Sequence, residues 1–263
     1  MKTDKKGKRG NQGKWWDARW DLCFGCTPVG DGCDNCWAVP EAWRQSHNPL
    51  LRERWVGTVD KMDCGLCSKK EDCKNCNGYE WTDRVNIMPE RLYIPVQKKK
   101  PQVYAVNFSG DLFHSEVPSD FIEAVFLIAE TTPHKFVFIT KRLQRMALEI
   151  ERNGDRRMFD NCIFLYSAWD QQSFDAGYAA LKDLPVKIGV HLEPLLAPVD
   201  IKTDGLSWCV VGAETGPHAR PCEKKWITDI VIQCGLARIP VFVKDGWDAR
   251  TTDHRQFPRG WKP

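Results

Sequence analysis

A regular alternation of apolar runs and helical patterns begins near residue 103 and strongly limits the folds that this sequence can adopt. The apolar runs are short and continuous, as is typical of strands that are buried on both faces. Helical patterns separate most of the runs, although none is evident between Leu192 and Trp208. This order predicts parallel strands that are joined by right-handed crossovers.

These runs and one further strand before Cys26 predict a sheet of about seven strands in an α/β fold. We expect a parallel (β/α) barrel, complete or partial, rather than an open doubly wound sheet. A helical pattern is also present over Ala38–Trp55. The predicted strands after residue 100 are Val103–Phe108, Phe136–Thr140, Cys162–Ser167, Val186–Leu192, Trp208–Gly212 and Pro240–Lys244. The predicted helices between them are Ser119–Thr131, Leu143–Arg152, Ser173–Leu184 and Glu223–Ala237.

Polar residues follow the carboxyl end of each predicted strand. In an α/β barrel the carboxyl ends of the strands share one face, and active sites are built there. The repeated placement therefore predicts one shared pocket, although each residue taken alone is explained equally well as a loop residue, a helix cap or half of a local ion pair. The residues are Ser109-Gly110-Asp111, Lys141-Arg142, Trp169-Asp170, Glu193, Glu214-Thr215 and Lys244-Asp245.

The chain contains 12 cysteines and 12 tryptophans. Its start is basic but has no apolar segment like that of a secretory signal, so we expect a reducing, cytoplasmic compartment, where metal ligation explains the cysteines better than disulfides do. The sequence contains no run of about 20 apolar residues, so we expect no membrane-spanning helix. We expect a flexible basic tail over residues 1–14, then one domain over 15–263 with a cysteine-rich, metal-binding insertion at about 60–80. Most tryptophans should pack in the core, and a few can stack on a planar substrate.

The first cysteine group, Cys23, Cys26, Cys33 and Cys36, has two interpretations. All four thiolates can form a tetrahedral zinc site. Alternatively, Cys26, Cys33 and Cys36 hold a [4Fe–4S] cluster, which leaves one iron open to a small molecule. In the second case the loop follows the first strand and opens a helix.

The second group, Cys64, Cys67, Cys73 and Cys76, has the spacing CxxCx5CxxC. Four cysteines within 13 residues are a strong indication of metal binding, and a segment this short needs the metal in order to fold. Its spacing does not distinguish structural zinc from a second [4Fe–4S] cluster.

The placement of the first loop resembles that of the radical S-adenosylmethionine (SAM) enzymes, whose usual spacing is CxxxCxxC. Here the spacing is Cx6CxxC, and the aromatic residue Trp37 follows the last cysteine. A closer resemblance, to the phage Gp-thirty-seven/sixty-eight family, extends from about Trp15 to Trp247 and places the chain near radical SAM proteins. The matching phrases are Gly25–Thr27, Gly32–Ala38, Asp111–Pro118, Thr140–Arg142, Glu193–Leu196, Val211–Pro217, Ala219–Pro221 and Phe242–Lys244.

The resemblance implies a barrel of the radical SAM type, in which Cys26, Cys33 and Cys36 hold the cluster and Cys23 is a buried or spare thiol. The amino and carboxylate groups of SAM chelate the open iron, and reductive cleavage of SAM gives a radical that takes a hydrogen atom from the substrate.

Further roles follow by position in the sequence. The segment that binds the SAM ammonium group in radical SAM enzymes corresponds by position to Ser109, Gly110 and Asp111 in this sequence. Lys141, Arg142 and Lys244 are candidates for the SAM carboxylate or a substrate phosphate, and Glu193 and Glu214 for ribose hydroxyls or substrate. Among these, Glu193 and Lys244 are the predicted catalytic residues.

The resulting hypothesis is a radical SAM enzyme that modifies a nucleotide or DNA base, as in phage thymine hypermodification, and that receives electrons from a donor protein. A phage-encoded enzyme of this kind works in the host cytoplasm. The alternative is a zinc-stabilised nucleic-acid-binding protein without catalytic activity, which the cysteine pairs, the basic tail and the tryptophans would also explain. The net charge of +3 does not distinguish the two, and the oligomeric state stays open.

Overall fold

The computed structural model describes residues 13–62, 78–153, 159–216, 218–244 and 254–261. Its main element is a seven-stranded sheet in which every neighbouring pair of strands is parallel. In sheet order the strands are β1 (Ala18–Trp20), β6 (Val103–Val106), β7 (Lys135–Thr140), β8 (Cys162–Ala168), β9 (Ile188–Leu192), β10 (Leu206–Val211) and β11 (Val241–Val243).

The helices are α1 (Ala38–Ser46), α2 (Arg52–Trp55), α3 (Ser119–Thr131), α4 (Leu143–Arg152), α5 (Gln171–Leu181) and α6 (Lys224–Leu236). Each crossover from β6 onward leads to the adjacent strand in the same direction along the sheet. Right-handed crossovers of this kind place their helices on one face, and the sheet curls into a half-barrel. The predicted parallel α/β fold is therefore confirmed as a curled half-barrel sheet.

Both faces of the sheet are covered. On one face the strands pack against α3, α4, α5 and α6 in the larger apolar core. On the other face, alternate strand residues, Trp208 among them, pack with Trp15 and Trp261, and no helix of the described ranges contributes to this cluster. Every residue of β6 and of β8 is buried, which explains why their sequences are continuously apolar rather than alternating.

Two predicted helices, Ser119–Thr131 and Leu143–Arg152, are confirmed at both ends. Among the described residues no helix lies between β9 and β10, as the sequence also predicts. The helical pattern over Ala38–Trp55 corresponds to two helices, α1 and α2, which begin and end at these residues and have a turn between them. In that turn Asn48 accepts a hydrogen bond from the Leu50 amide, and Pro49 has no amide proton for a helical bond.

A small layer of structure covers one end of the sheet. It contains α1, α2 and two antiparallel strand pairs, β2 (Cys23–Phe24) with β5 (Asn86–Ile87) and β3 (Val59–Lys61) with β4 (Tyr79–Trp81). Residues 64–76 of the second cysteine group are flanked by β3 and β4, but they lie outside the described residues, as do residues 1–12 of the predicted tail and Asp245. None of the helices described is long and apolar enough to cross a bilayer.

Candidate active site

A cavity of about 470 Å³ lies at the carboxyl ends of the strands, which is within the size range of small-molecule sites. The structure brings nearly all of the predicted site residues that it describes to this cavity, from loops that follow different strands. Those that line it are Cys26, Cys33, Cys36, Gly110, Asp111, Lys141, Arg142, Glu193, Glu214 and Lys244. Ser109 is buried outside the cavity wall, where its hydroxyl accepts a hydrogen bond from Arg19.

The cysteine loop, residues 26–36, begins after β2 and leads directly into α1. It contains one short helical turn over Asp31–Cys33, and the Cys36 amide donates to the Cys33 carbonyl at 3.1 Å. Burial raises the pKa of the Cys26 thiol to about 12 and also raises that of Cys36. Both thiols are therefore protonated at neutral pH in the metal-free protein, and metal binding has to displace their protons.

Cys23 differs from the other three cysteines of the first group. It is fully buried in the main apolar core and does not line the cavity, and its Sγ donates to the Asp111 carbonyl at 3.4 Å. The remaining thiols, those of Cys26, Cys33 and Cys36, all border the cavity. In the part of the chain that the structure describes, no group of three or more His, Cys, Asp or Glu side chains forms a site for a single metal ion.

Glycines allow the cysteine loop to pack closely against its neighbours. A Cβ atom on Gly32 would lie 2.5 Å from the Trp169 ring, and one on Gly30 would lie 2.8 Å from it. On the other side, a Cβ atom on Gly110 would lie 2.5 Å from the Gly25 carbonyl oxygen. Steric fit therefore explains why residue 110 is a glycine, and the Trp169 ring packs directly against the cysteine loop.

The carboxylate of Asp111 holds Arg142 in place. It accepts hydrogen bonds from the Thr140 hydroxyl at 2.7 and 2.8 Å and from Arg142 Nη1 at 3.0 Å, and it is buried. Arg142 in turn donates from Nη1 to Cys26 Sγ at 3.5 Å and from Nη2 to the Thr27 carbonyl at 2.8 Å. A positive charge therefore adjoins the Cys26 thiol, where it can offset the charge of a thiolate.

Glu193, Lys244 and His191 form a half-buried polar cluster in the cavity wall, where their side chains are 18%, 24% and 12% exposed. Lys244 Nζ lies 2.8 and 2.6 Å from the two Glu193 oxygens, and His191 Nε2 lies 2.9 Å from Oε2. Burial raises the pKa of Glu193, but Lys244 and His191 outweigh burial and lower this pKa to about 2. Burial lowers the pKa of His191, which leaves the ring neutral with Nε2–H donating to the carboxylate. The sequence places His191 at a strand end near the predicted pocket, with a hydrogen-bonded structural role favoured over ligand binding, and in the structure His191 lines the cavity.

Aromatic side chains stand at the mouth of the cavity. Trp37 is 47% exposed, and the Arg19 guanidinium lies 5.6 Å from its ring centroid and 5.5 Å from that of Phe108. Trp15, Trp20, Trp55 and Trp208 are buried instead, so the expectation that most tryptophans pack in the core is confirmed for them.

Asn107 is a positioning residue that sequence reasoning missed. It has a positive φ of 63°, its Oδ1 accepts from the Leu22 and Cys23 amides at 2.8 Å each, and its Nδ2 donates to the Cys23 carbonyl. We expect Asn107→Ala to lower the free energy of unfolding by about 3 kcal/mol, because two buried amides lose their acceptor. Denaturant unfolding measures this change.

Asn107→Gly is the matched control, because glycine adopts the positive φ without strain but makes none of these bonds. It should lose somewhat less stability than the alanine variant. Wild-type stability in Asn107→Gly would show that the side-chain hydrogen bonds contribute nothing.

The fold and cavity together define an α/β protein with a parallel half-barrel and a cysteine-lined pocket at the carboxyl ends of its strands. The chain belongs to the family described as "Protein of unknown function (DUF5131)", whose model matches residues 11–258. No curated protein and no solved structure matches the chain.

Proposed function

We propose that the chain is a radical SAM enzyme in which Cys26, Cys33 and Cys36 hold a [4Fe–4S] cluster. The observation that carries the proposal is that these three thiols, and not Cys23, line one cavity at the carboxyl ends of a parallel half-barrel. A set of three thiolates suits a cluster with one open iron better than it suits a closed zinc site, which needs four ligands.

The neighbouring charges support the same assignment. Arg142 contacts Cys26 Sγ, and Lys141 lines the cavity beside it, so two cations face a site that becomes negative when the thiols ionise. When bound, the cluster supplies an electron that breaks a C–S bond of SAM and so starts radical chemistry on the substrate. The protein orients the reactants and excludes water, and Asp111 contributes by holding Arg142 in position.

The substrate that we propose is a nucleotide or DNA base. Trp37 offers a partly exposed ring at the cavity mouth on which a planar base can stack, and Lys141 can bind a phosphate or carboxylate group. A role in phage thymine hypermodification, an electron donor protein and a barrel of the radical SAM type are parts of this proposal that rest on the family resemblance. The second cysteine group then holds another [4Fe–4S] cluster or zinc.

The test is to purify the chain without oxygen, reconstitute it with iron and sulfide, and measure its visible spectrum and its iron, sulfide and zinc content. We expect a broad band near about 400 nm that bleaches with dithionite, and about four or eight iron atoms per chain. About eight would assign a cluster to each cysteine group, whereas about four would leave the second group with zinc or empty.

The reduced protein should then convert SAM to 5′-deoxyadenosine. A colourless protein that holds only zinc, even after reconstitution, would contradict the proposal and favour a zinc-stabilised nucleic-acid-binding module.

A further inference from the structure

A cluster of polar contacts joins the cysteine loop to the loop that follows β10. Arg220 donates to both oxygens of Glu214, from Nη2 at 2.6 Å and from Nε at 2.9 Å. The same guanidinium reaches the cysteine loop, where Nη2 donates to the Asp31 carbonyl at 2.7 Å and Nη1 lies 3.1 Å from Asp34 Oδ2. One side chain therefore connects the two loops.

Asn35 makes the connection reciprocal. Its Nδ2 group donates to Glu214 Oε2 at 3.0 Å and to the His218 carbonyl at 2.9 Å. The Arg220 amide also donates to Glu214 Oε2, at 2.8 Å. Each loop therefore donates hydrogen bonds to the other, and the Glu214 carboxylate accepts hydrogen bonds from both Asn35 and Arg220.

The two loops come from distant parts of the half-barrel. The cysteine loop follows β1 and β2, and β1 is the first strand in sheet order, whereas β10 is the sixth. Their contact therefore joins distant parts of the carboxyl end of the half-barrel, and Asn35 and Glu214 at this contact line the cavity.

The electrostatics favour a charged pair at this position. The Glu214 side chain is only 4% exposed, and burial raises its pKa, but hydrogen bonds from Arg220 and Asn35 outweigh burial and lower it. Planar, bidentate pairing between arginine and carboxylate is strong and directional, so it fixes the orientation of both loops.

We infer that Arg220 is a positioning residue, which with Glu214 and Asn35 holds the cysteine loop in the conformation that receives the cluster. This inference rests on the proposed function only for the identity of the bound group. Glu214 then serves to anchor Arg220 and does not bind ribose hydroxyls. The loop is held from two sides, by this ion pair and by the Trp169 ring against Gly30 and Gly32.

The test compares Arg220→Gln with Arg145→Gln in the metal-free protein. Arg145 pairs with Glu149 at 2.7 Å, and these side chains are 27% and 4% exposed, close to the 30% and 4% of Arg220 and Glu214. The control removes an ion pair of similar exposure on α4, in which Arg145 bonds to Glu149, Val117 and Ser119, none of them in the cysteine loop. Iodoacetamide alkylation of Cys33 and Cys36, followed by peptide mass spectrometry, measures how often the loop opens.

We expect Arg220→Gln to speed alkylation of Cys33 and Cys36 at least about tenfold, whereas Arg145→Gln leaves the rate within about twofold of wild type. Arg220→Lys should restore part of the protection, because it keeps the charge but not the bidentate geometry. It also serves as the test variant if the glutamine variant fails to fold. Equal rates in the Arg220 and Arg145 variants, or no protection in the wild type, would overturn the inference.

Reconstitution with iron and sulfide separates this inference from the proposed function. If both hold, Arg220→Gln retains less cluster than wild type and changes the electron paramagnetic resonance spectrum of the reduced cluster, and Arg145→Gln does neither. A wild-type protein that binds no cluster defeats the proposed function alone, because the alkylation contrast still decides whether Arg220 holds the loop.

Discussion

Cys33→Ala is expected to abolish the proposed iron–sulfur cluster of the first cysteine group. Two remaining thiolates do not hold a four-iron cube stably, so the variant should lose about four iron atoms per chain and the corresponding absorption near about 400 nm. The SAM cleavage that depends on this cluster should fall to background. Iron and sulfide analysis after anaerobic reconstitution, with the visible spectrum, measures the effect.

Cys23→Ala is the matched control, because Cys23 belongs to the same sequence group but is buried in the apolar core. It should keep its full iron content while losing about 1 kcal/mol of stability through the small cavity that it leaves. An intact cluster in Cys33→Ala would remove Cys33 from the ligand set. Loss of bound metal in Cys23→Ala would instead support the four-cysteine zinc interpretation.

Lys244→Met is expected to destabilise the protein by about 3 kcal/mol at neutral pH. The substitution leaves the largely buried Glu193 carboxylate without its cation, and removing one partner of such an ion pair is strongly unfavourable. For a chain of this length the melting temperature should fall by about 6–12 °C. Thermal and denaturant unfolding measure the change.

The double variant Glu193→Gln/Lys244→Met is the control, since it removes both charges and should recover much of the loss. A double variant no more stable than Lys244→Met would show that lost packing, and not the uncompensated charge, causes the effect.

The pH dependence gives an independent check of the same pair. In the wild type, Lys244 and His191 lower the pKa of Glu193 to about 2 despite burial, so the stability that this carboxylate contributes is complete above its ordinary pKa of 4.5 and is lost as the pH falls towards 2. Without Lys244 this pKa is higher than in the wild type, because His191 alone then opposes the effect of burial. The stability difference between wild type and variant should therefore shrink as the pH falls towards 2, and a constant difference would contradict the charge argument.

The predictability of the site differs from residue to residue. The position of Lys141, Glu193 and Lys244 after strand ends follows from local apolar patterns, because parallel strands carry their carboxyl ends to one edge. The interactions of the side chains do not follow from such patterns. Asp111 follows a predicted strand, where the sequence indicates a ligand-binding residue. In the structure its oxygens instead accept hydrogen bonds from Thr140 and Arg142, which lie about 30 residues away in sequence.

Local patterns are enough to predict the parallel α/β architecture and the loop of three cysteines at its carboxyl edge, because continuous apolar runs and cysteine spacing are properties of neighbouring residues. They do not show that Cys23 lies in the core or that Glu214 anchors Arg220, because these outcomes depend on partners far apart in the chain. Asn35 and Glu214, for example, are 179 residues apart and meet only when the sheet curls.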